Sequence, residues 1–582
     1  MNVLNNVNSP EDVKKLTPEE MNKLSSEIRE AILTRVNTIG GHLGPDLGIV
    51  EATIALHYVF NSPEDKIVFD VSHQIYPHKI ITGRKDGFLH PENTTISGYS
   101  NPNESEHDNF IIGHTSTAAS LATGLAKARD LKGEKYNVIA IVGDGSMSGG
   151  EAFEGFNNAS VLDSNIILIV NDNEMSIAET QGGLYKNLKA LRDTNGKSEN
   201  NIFKALGFDY LYVDNGNDIE TLIKAFMEVK DTNHPTVVHI HTLKGKGYKQ
   251  AEENKEKYHW TIPGFMNETT QSQALSESYE TLTTDYLLKK HEEDPTLIAI
   301  SPSTPGAYGF TPEFRQKMGK NYTDPGIAEE HAVAYASALA KNGAKPVLAV
   351  ISSFIQRTYD QLSQDLALNN SPATILVYWG GLSPMDATHV GSFDIPMISN
   401  IPNIVYLAPT TKEEYLRMLD WSIEQKDYSV AIRVPFASFV TTGIEDKTDY
   451  SILNKSKLVQ KGSKIAVIAL GDFFKLGAET VKQIKDKLGI DATLINPVYI
   501  TGLDKELMES LKKDHDIVIT LENGVINGGY GEKISRFYGN SNIKVLNFGG
   551  KKEFTDRMLL EEQYKRYHLT KELIVEDLSK LI

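Results

Sequence analysis

The chain has 582 residues, of which 40% are hydrophobic and 23% are charged, as in ordinary globular proteins built from about two to four domains. Its formal net charge of −18 argues against nucleic-acid binding, and its lack of cysteine excludes disulfides, thiolate catalysis and Cys-based zinc sites. Because it contains no run of about 18–20 apolar residues and no apolar signal-peptide core, we expect a cytoplasmic protein without membrane partners.

Predicted strands and helices alternate along the whole chain, which is typical of parallel sheets covered by helices on both faces. We therefore predict an α/β fold of three doubly wound, mostly parallel-sheet domains at residues 1–270, 286–445 and 462–582. The polar stretch 267–285 is predicted to be a linker or a surface helix, and 447–461 a second connection. The apolar runs read as strands include Thr236–His241, Pro346–Ser352, Ala373–Val377, Ile404–Ala408 and Ile465–Leu470.

Two short polar triplets in the first domain indicate a metal site. A Gly-Asp-Gly triplet follows the predicted strand Val138–Val142, and an Asn-Asp-Asn triplet follows Ile166–Val170. The 29 positions that separate Asp144 from Asn173 leave room for one crossover helix, Gly150–Ala159. Both triplets then lie at the carboxyl ends of neighbouring parallel strands, where open α/β sheets bind ligands. Carboxylate, amide and carbonyl oxygens there suit Mg²⁺ with a diphosphate, whereas the first triplet alone would indicate only a tight turn.

The sequence of these triplets and of the residues after them resembles the thiamine diphosphate motif of the 1-deoxy-D-xylulose-5-phosphate synthase family, within the transketolase-like superfamily. The two segments are GDGSMSGGEAFEGFNNAS (143–160) and NDNEMSI (171–177). Further similar segments are GGHLGPDLGIVEATIALHYVF (40–60), FDVSHQIYPHKIITGR (69–84), IGHTST (112–117), KGKGY (244–248), IAEEHAV (327–333) and SFIQRTYDQ (353–361). The resemblance spans nearly the whole chain and implies a transketolase-like architecture of diphosphate, pyrimidine and C-terminal domains.

The resemblance also implies an activity. Thiamine diphosphate and Mg²⁺ would be the cofactors of a transferase that decarboxylates pyruvate and joins the two-carbon unit to an aldehyde. In the family this aldehyde is glyceraldehyde 3-phosphate, and the product serves isoprenoid and thiamine biosynthesis. The partners implied are these small molecules and a second copy of the chain in a homodimer.

The roles of individual residues follow from matching motif positions. Glu329 matches the glutamate that faces N1′ of the aminopyrimidine, although Glu330 is adjacent and both carboxylates also suit a helix start. Clustered histidines suit the reaction because imidazole moves protons near neutral pH. The catalytic candidates are Glu329, His42, His114, His259 and His389. The cofactor candidates are His73, Gly113, His114, Thr115, Gly145, Ser146, Asn173, Tyr248, Glu329 and Phe354, and the metal candidates are Asp144, Asn173 and Met175.

The positions that bind the acceptor's phosphate in the family differ in this chain. A tyrosine is replaced by Ile351, and one arginine by Phe436. The segment Tyr378-Trp379-Gly380-Gly381 stands where the family has another arginine. The remaining substrate candidates are Arg357, Asp386 and Arg433, with Lys244 as a further cation; Asp386 precedes His389 by three residues rather than the family's four. A phosphate dianion needs several charged donors, so we expect a more apolar acceptor site.

Three alternatives to an ordinary member of the family stay open. The first is a divergent paralogue that performs the same carboligation on an unphosphorylated acceptor, which the lost arginines favour. The second is a transketolase that moves ketol units between sugars. The third is an inactive cofactor-binding scaffold, against which the retained cofactor residues argue. The segment Gly183–Asn201 is a short, polar, helix-like stretch where family members carry a longer insertion.

Overall fold

In the computed structural model, residues 2–93, 95–267 and 277–582 are described. The chain divides into two compact units, residues 1–274 with 325–328 and residues 275–324 with 329–582. The first unit contains one large sheet and the second contains two. The predicted domain boundaries at 270, 286, 445 and 462 stay predictions. None of the described helices has the length and apolar composition needed to cross a membrane.

The first unit is organised around a five-stranded parallel sheet in the order β2-β3-β4-β6-β5, beside a separate antiparallel pair of β1 and β7. Its strands are β1 (Gly41–His42), β2 (Lys66–Phe69), β3 (Val138–Gly143), β4 (Ile167–Asp172), β5 (Asp209–Val213), β6 (Thr236–His241) and β7 (Trp260–Thr261). Its helices are α1 (Pro10–Val13), α2 (Pro18–Ile39), α3 (Gly44–Gly48), α4 (Val50–Val59), α5 (Tyr76–Lys79), α6 (Asp86–Leu89), α7 (Ala118–Lys132), α8 (Gly150–Ala159), α9 (Gly183–Asp193), α10 (Ile202–Leu206), α11 (Ile219–Val229) and α12 (Lys249–Glu253).

Both faces of this sheet are buried, as the doubly wound prediction requires. Successive side chains of a strand point to opposite faces. Accordingly, Ile139 and Ile141 of β3 belong to a hydrophobic cluster with α2, α4 and α11. Val138, Ala140 and Val142 belong to a second cluster with α7, α8, α9 and α10. The prediction of neighbouring parallel strands joined by a helix at Gly150–Ala159 is confirmed.

The second unit contains a six-stranded parallel sheet, β12-β13-β11-β10-β8-β9, and a five-stranded sheet, β14-β16-β15-β17-β18. Its strands are β8 (Leu297–Ile300), β9 (Tyr322–Thr323), β10 (Lys345–Ile351), β11 (Thr374–Gly380), β12 (Ile404–Leu407), β13 (Ser429–Pro435), β14 (Lys457–Gln460), β15 (Lys464–Ala469), β16 (Thr493–Asn496), β17 (His515–Val525) and β18 (Lys544–Gly550). Its helices are α13 (Tyr279–Glu293), α14 (Pro312–Met318), α15 (Glu329–Lys341), α16 (Tyr359–Gln361), α17 (Asp394–Ser399), α18 (Lys412–Glu424), α19 (Phe474–Leu488), α20 (Lys505–Leu511), α21 (Tyr530–Tyr538), α22 (Leu560–Arg566) and α23 (Lys571–Ser579).

The two polar connections differ in part from their predictions. Residues 447–461 do not form a plain connection, because Lys457–Gln460 is a strand that pairs antiparallel with β16 at the sheet edge. Its side chains are largely exposed, and polar composition is common in edge strands. Within 267–285, residues 268–276 lie outside the described part of the chain. Ser278 caps helix α13 by accepting a hydrogen bond from the Thr281 amide at 3.3 Å, so the end of this stretch is helical.

Candidate active site

The candidate metal site lies at the carboxyl ends of β3 and β4. The backbone N–H of Asp144 donates to the Asn171 carbonyl at 3.1 Å, which continues the ladder between the two strands. Oδ2 of Asp144 and Oδ1 of Asn173 are buried and have no hydrogen-bond partner in the described part of the chain. Two orphaned oxygens of this kind are costly without a cation, and they are the donors that Mg²⁺ prefers. The residues present therefore fit a magnesium ion.

The electrostatics of the site also favour a bound cation. Burial raises the pKa of the Asp144 carboxyl well above its usual range, and the nearby Asp172 carboxylate raises it further. Lys244 opposes this effect; its ammonium donates to the Ser176 carbonyl at 2.5 Å, and burial lowers its pKa to about 7. A divalent ion supplies the missing positive charge directly. No group of three His, Asp or Glu side chains among residues 2–93, 95–267 and 277–582 is arranged to hold a metal, so backbone and amide oxygens must contribute.

A hydrogen-bond network that the sequence did not predict holds the Asn-Asp-Asn loop. Asp172 is fully buried, and its Oδ2 accepts from His239 Nε2 at 2.9 Å and from Arg192 Nη1 at 2.5 Å. Oδ1 of Asn171 accepts from the Thr242 hydroxyl at 2.5 Å. The triplet pointed to Asp172 itself. Its hydrogen-bond partners Arg192 and His239 are 20 and 67 positions away in the sequence, and no local pattern predicts them. Network partners of this kind orient metal ligands without touching the metal.

Three of the predicted histidines form one cluster in the first unit. The ring centroids of His42 and His73 are 5.0 Å apart, those of His42 and His259 are 5.4 Å apart, and those of His73 and His259 are 5.3 Å apart. The antiparallel pairing of His42 with Trp260 brings the neighbouring His259 to this position. Burial lowers the pKa of His42 well below its usual value, and the adjacent His73 lowers it further. Burial also lowers the pKa of His259 well below its usual value. His42 and His259 are therefore held as neutral imidazoles, which can each accept or donate a proton.

Glycine is required in the loop that carries His42. Gly41 has φ = +135°, and a Cβ added there would lie 2.6 Å from the Tyr76 hydroxyl. Similarly, a Cβ on Gly145 would lie 3.0 Å from the Cα of Ser176, so the two loops approach backbone to backbone.

The remaining candidates of the first unit lie in loops or aromatic packing. Gly113, His114 and Thr115 lie in the loop that precedes α7, which Asp70 holds by accepting from the Ser116 and Ala118 amides at 2.8 and 2.9 Å. The Ser146 carbonyl accepts from the Ser116 hydroxyl at 2.9 Å, which joins this loop to the Gly-Asp-Gly loop. Met175 pairs with Glu179 in an isolated bridge, and the Tyr248 ring packs edge-on against Tyr258 at 5.7 Å. Their proposed roles stay predictions.

In the second unit, Glu329 is the first residue of α15 and is only 5% exposed. Burial raises the pKa of its carboxyl to about 7, although the charge of Arg357 opposes the shift. Arg357 Nη1 lies 4.0 Å from Glu329 Oε2, which has no hydrogen-bond partner among the described residues. Because Glu330 is less buried, the geometry supports Glu329 rather than its neighbour as the proton-exchanging carboxyl.

Phe354 and His389 lie close to Arg357, the residue that faces the Glu329 carboxylate. Phe354 and Arg357 share the tight turn that follows β10, because the Arg357 amide donates to the Phe354 carbonyl at 3.2 Å. The rings of Phe354 and His389 are 5.6 Å apart and nearly perpendicular. The His389 amide donates to the Asp386 carbonyl at 2.8 Å, and the Asp386 carboxylate lies 3.6 Å from Arg557 Nε. The candidates Glu329, Phe354, Arg357 and His389 thus form a second cluster.

Comparisons with known proteins identify the family of the chain. A family model described as 1-deoxy-D-xylulose-5-phosphate synthase matches residues 4–201 and 194–242. The transketolase pyrimidine-binding domain matches 277–438, and the transketolase C-terminal domain matches 454–574. A 1-deoxy-D-xylulose-5-phosphate synthase from Symbiobacterium thermophilum is 36% identical over 100% of this chain and 95% of its own length. Those from Clostridium beijerinckii and Carboxydothermus hydrogenoformans are also 36% identical, over 100% of both chains.

The chain belongs to the 1-deoxy-D-xylulose-5-phosphate synthase family. It is accordingly a transferase that uses thiamine diphosphate and a divalent metal such as Mg²⁺. The resemblance inferred from the motifs and the transketolase-like α/β fold are confirmed.

Arg433, the one arginine that survives from a family phosphate-binding motif, is engaged inside the second unit. It is 2% exposed, and its Nε and Nη2 donate to Asp394 at 2.6 and 3.0 Å. Nη2 also donates to the Asn523 carbonyl at 2.6 Å, and Nη1 lies 3.8 Å from Asp472. Nε and Nη2 are thus engaged by Asp394 and Asn523, and a side chain only 2% exposed is poorly placed to meet a phosphate, so the geometry speaks against Arg433 as an acceptor ligand.

The other altered positions of this family member are apolar. Tyr378 is fully buried and its hydroxyl bonds to Thr283 Oγ1 at 2.9 Å, which leaves Trp379, the next-to-last residue of β11, to face the site. Trp379 has φ = +58° at a shift of the β11–β13 register, and such a bulge turns a side chain away from its strand. Its ring meets Phe436 edge-on at 6.1 Å, and Ile351 is buried nearby in the same core. We call Trp379 and Phe436 the aromatic pair.

Proposed function

We propose that the chain decarboxylates pyruvate and joins the remaining two-carbon unit to an unphosphorylated aldehyde. The C1–C2 bond of pyruvate breaks and carbon dioxide leaves. A bond then forms between the former C2 and the aldehyde carbon, whose oxygen takes a proton, so the product is an α-hydroxyketone. Family membership supports the reaction class. The acceptor assignment rests on the positions where this chain differs from the family's phosphate-binding motifs, Ile351, Trp379 and Phe436.

The chain's own residues supply binding and proton control, whereas thiamine diphosphate supplies the nucleophilic carbon and stabilises the negative charge left by decarboxylation. Asp144 and Asn173 would hold the metal ion and, through it, the diphosphate. Glu329 would hold the aminopyrimidine ring, and a pKa of about 7 lets its carboxyl exchange a proton at neutral pH. The neutral rings of His42 and His259, with His73 beside them, suit proton transfer at the oxygen of the reacting carbonyl.

The observation that carries the acceptor assignment is the burial of Arg433 in its bidentate pair with Asp394. Without that guanidinium, the surviving motif presents Phe436, which is 40% exposed and paired with Trp379. A phosphate dianion is bound tightly by bidentate or multiple charged hydrogen-bond donors. Against aromatic carbon it loses its hydration without gaining such donors, which weakens binding. An uncharged aldehyde of the same size avoids that cost.

Steady-state kinetics with pyruvate and either D-glyceraldehyde or glyceraldehyde 3-phosphate test this proposal, with products identified by mass. We expect a higher kcat/KM for D-glyceraldehyde. A kcat/KM for glyceraldehyde 3-phosphate well above that for glyceraldehyde would refute the proposal. It would favour the ordinary family reaction, with Arg357 or Lys244 binding the acceptor's phosphate. Phe436→Arg, which returns a guanidinium to the motif, should raise the ratio of phosphate ester to free aldehyde, whereas the matched variant Phe436→Leu should not.

A separate assay with a ketose phosphate and an aldehyde, without pyruvate, tests the transketolase alternative, because a transketolase would transfer the ketol unit between them. A homodimer is proposed from the family resemblance, and sedimentation of the purified chain tests it. The cytoplasmic location expected from the sequence stays a prediction.

A further inference from the structure

Helix α9 follows the Asn-Asp-Asn loop in the chain and packs against the same face of the sheet as α7 and α8. Leu188 and Leu191 are fully buried in the hydrophobic cluster on that face. Tyr185 and Arg192 are seven positions apart, so they lie two turns apart on nearly the same stripe of the helix. The buried leucines fix the helix, and the two polar side chains can then reach two different loops.

Tyr185 contacts the Gly-Asp-Gly loop. Its hydroxyl donates to the carbonyl oxygens of Asp144 and Gly145, at 3.2 and 3.3 Å. The loop also bonds internally, since the Met147 amide donates to the Asp144 carbonyl and the Ser148 hydroxyl to that of Gly145. Tyr185 therefore fixes the backbone of the turn from which the Asp144 carboxylate projects.

Arg192 contacts the Asn-Asp-Asn loop on both sides of Asn173. Nη1 donates to Asp172 Oδ2 at 2.5 Å, and Nη2 donates to Glu174 Oε2 at 3.2 Å. His239 donates Nε2–H to the same Asp172 oxygen, because a carboxylate can only accept, and its Nδ1 lies 2.9 Å from the Tyr210 hydroxyl. One guanidinium thus anchors both neighbours of the candidate metal ligand.

We propose that helix α9 is a fixed clamp on both metal loops, with Tyr185 and Arg192 as positioning residues for Mg²⁺ and the diphosphate. Neither side chain touches Asp144 Oδ2 or Asn173 Oδ1, which stay open to a cation in the described part of the chain. Partners that stand behind metal ligands usually change metal affinity by about 10–100-fold. The clamp acts on cofactor binding and does not depend on which aldehyde the enzyme accepts.

The test compares matched variants of the full chain. Arg192→Met is paired with Lys189→Met, which removes the same charge from the exposed side of α9, where Lys189 bonds Asp193 at 2.7 Å. Tyr185→Phe is paired with Tyr212→Phe, which loses a hydroxyl contact to Asp214 at 3.0 Å. Isothermal titration with MgCl₂ at saturating thiamine diphosphate gives the Mg²⁺ dissociation constant. Circular dichroism gives the Tm with and without the two ligands.

We expect Arg192→Met to raise the Mg²⁺ dissociation constant about 10–100-fold. Tyr185→Phe should raise it about 2–10-fold, as for one neutral hydrogen bond. Both should reduce the gain in Tm on adding MgCl₂ and thiamine diphosphate, whereas both controls should match wild type. Arg192→Lys should recover part of the affinity, because it restores the charge without the two-pronged geometry.

A Mg²⁺ dissociation constant within about twofold of wild type in Arg192→Met would overturn the proposal, even if the Tm of the unliganded chain falls. That outcome would make Arg192 a purely structural residue. If Arg192→Met does not fold, Arg192→Lys and Tyr185→Phe decide, because unchanged Mg²⁺ affinity in both would also overturn the clamp.

Discussion

Replacing Arg433 by Met distinguishes a structural arginine from an acceptor-binding one, because the two roles predict opposite results. Methionine keeps most of the apolar stem and removes the guanidinium, with its bonds of 2.6 and 3.0 Å to Asp394 and 2.6 Å to the Asn523 carbonyl. Asp394 is 1% exposed and would be left as an uncompensated buried charge. Breaking one partner of such a pair costs about 3–5 kcal/mol.

Thermal unfolding of the unliganded chain measures this cost, which corresponds to a fall in Tm of about 5–15 °C. Arg417→Met is the matched control, since Arg417 forms an exposed pair with Asp420 that contributes at most about 1 kcal/mol. Adding Asp394→Asn to Arg433→Met removes the stranded charge and should recover about 0.5–3 kcal/mol. In the same preparations, the ratio of kcat/KM for glyceraldehyde 3-phosphate to that for D-glyceraldehyde should not change.

An Arg433→Met variant whose Tm stays within about 2 °C of wild type would show that the pair with Asp394 contributes little to stability and would refute the structural role. A selective rise of about tenfold or more in KM for the phosphorylated aldehyde, which corresponds to a lost interaction of about 1.4 kcal/mol, would place the guanidinium on the acceptor.

Three further predictions concern the cofactor residues. Asp144→Ala should abolish retention of thiamine diphosphate while the fold survives; calorimetric binding as tight as wild type would show that the metal assignment is wrong. Glu329→Gln should keep the cofactor but lose about 10²–10⁴-fold in activity, and exchange of the cofactor's carbon-2 proton, followed by NMR, should slow with it. Burial raises the pKa of Glu329 from 4.5 to about 7. Between these two pH values the folded chain therefore keeps a proton on Glu329 that the unfolded chain has lost. Stability should therefore fall by about 3 kcal/mol as pH rises from 4.5 to 7, and unliganded Glu329→Gln should melt above wild type at pH 8 but not at pH 4.5.

The strand ends that carry the candidate metal ligands could be predicted because their signals are local. Buried parallel strands appear as continuous apolar runs, and Asp144 and Asn173 directly follow two of them. The crossover helix between the strands has the expected length, so the adjacency of the two loops follows from topology. The edge strand Lys457–Gln460 gave no such signal, since three of its four side chains are exposed.

The partners of the site residues could not be predicted, because tertiary packing brings them together. Arg433 matched a motif that implied a ligand role, but the fold pairs it with Asp394, 39 positions earlier. Arg192 meets Asp172 only because α9 packs on the sheet, and a polar helix gives no sign of its partner. The bulge at Trp379 leaves this residue, rather than Tyr378, partly exposed. It is a backbone irregularity, and matching the sequence to the family motif could not show at which residue it occurs.

The pairing of β1 with β7 makes the histidine cluster dependent on a local equilibrium. Backbone hydrogen bonds join these two strands and the residues beside them, including the Leu43 amide to the His259 carbonyl at 3.2 Å and the Gly44 amide to the Tyr258 carbonyl at 2.8 Å. Short segments of this kind can open and reclose while the central sheet stays folded. Opening would carry His259 away from His42, so we expect the fraction of molecules with an intact cluster to follow this local pairing rather than global unfolding. Hydrogen exchange at the Leu43 and Gly44 amides would report that fraction directly.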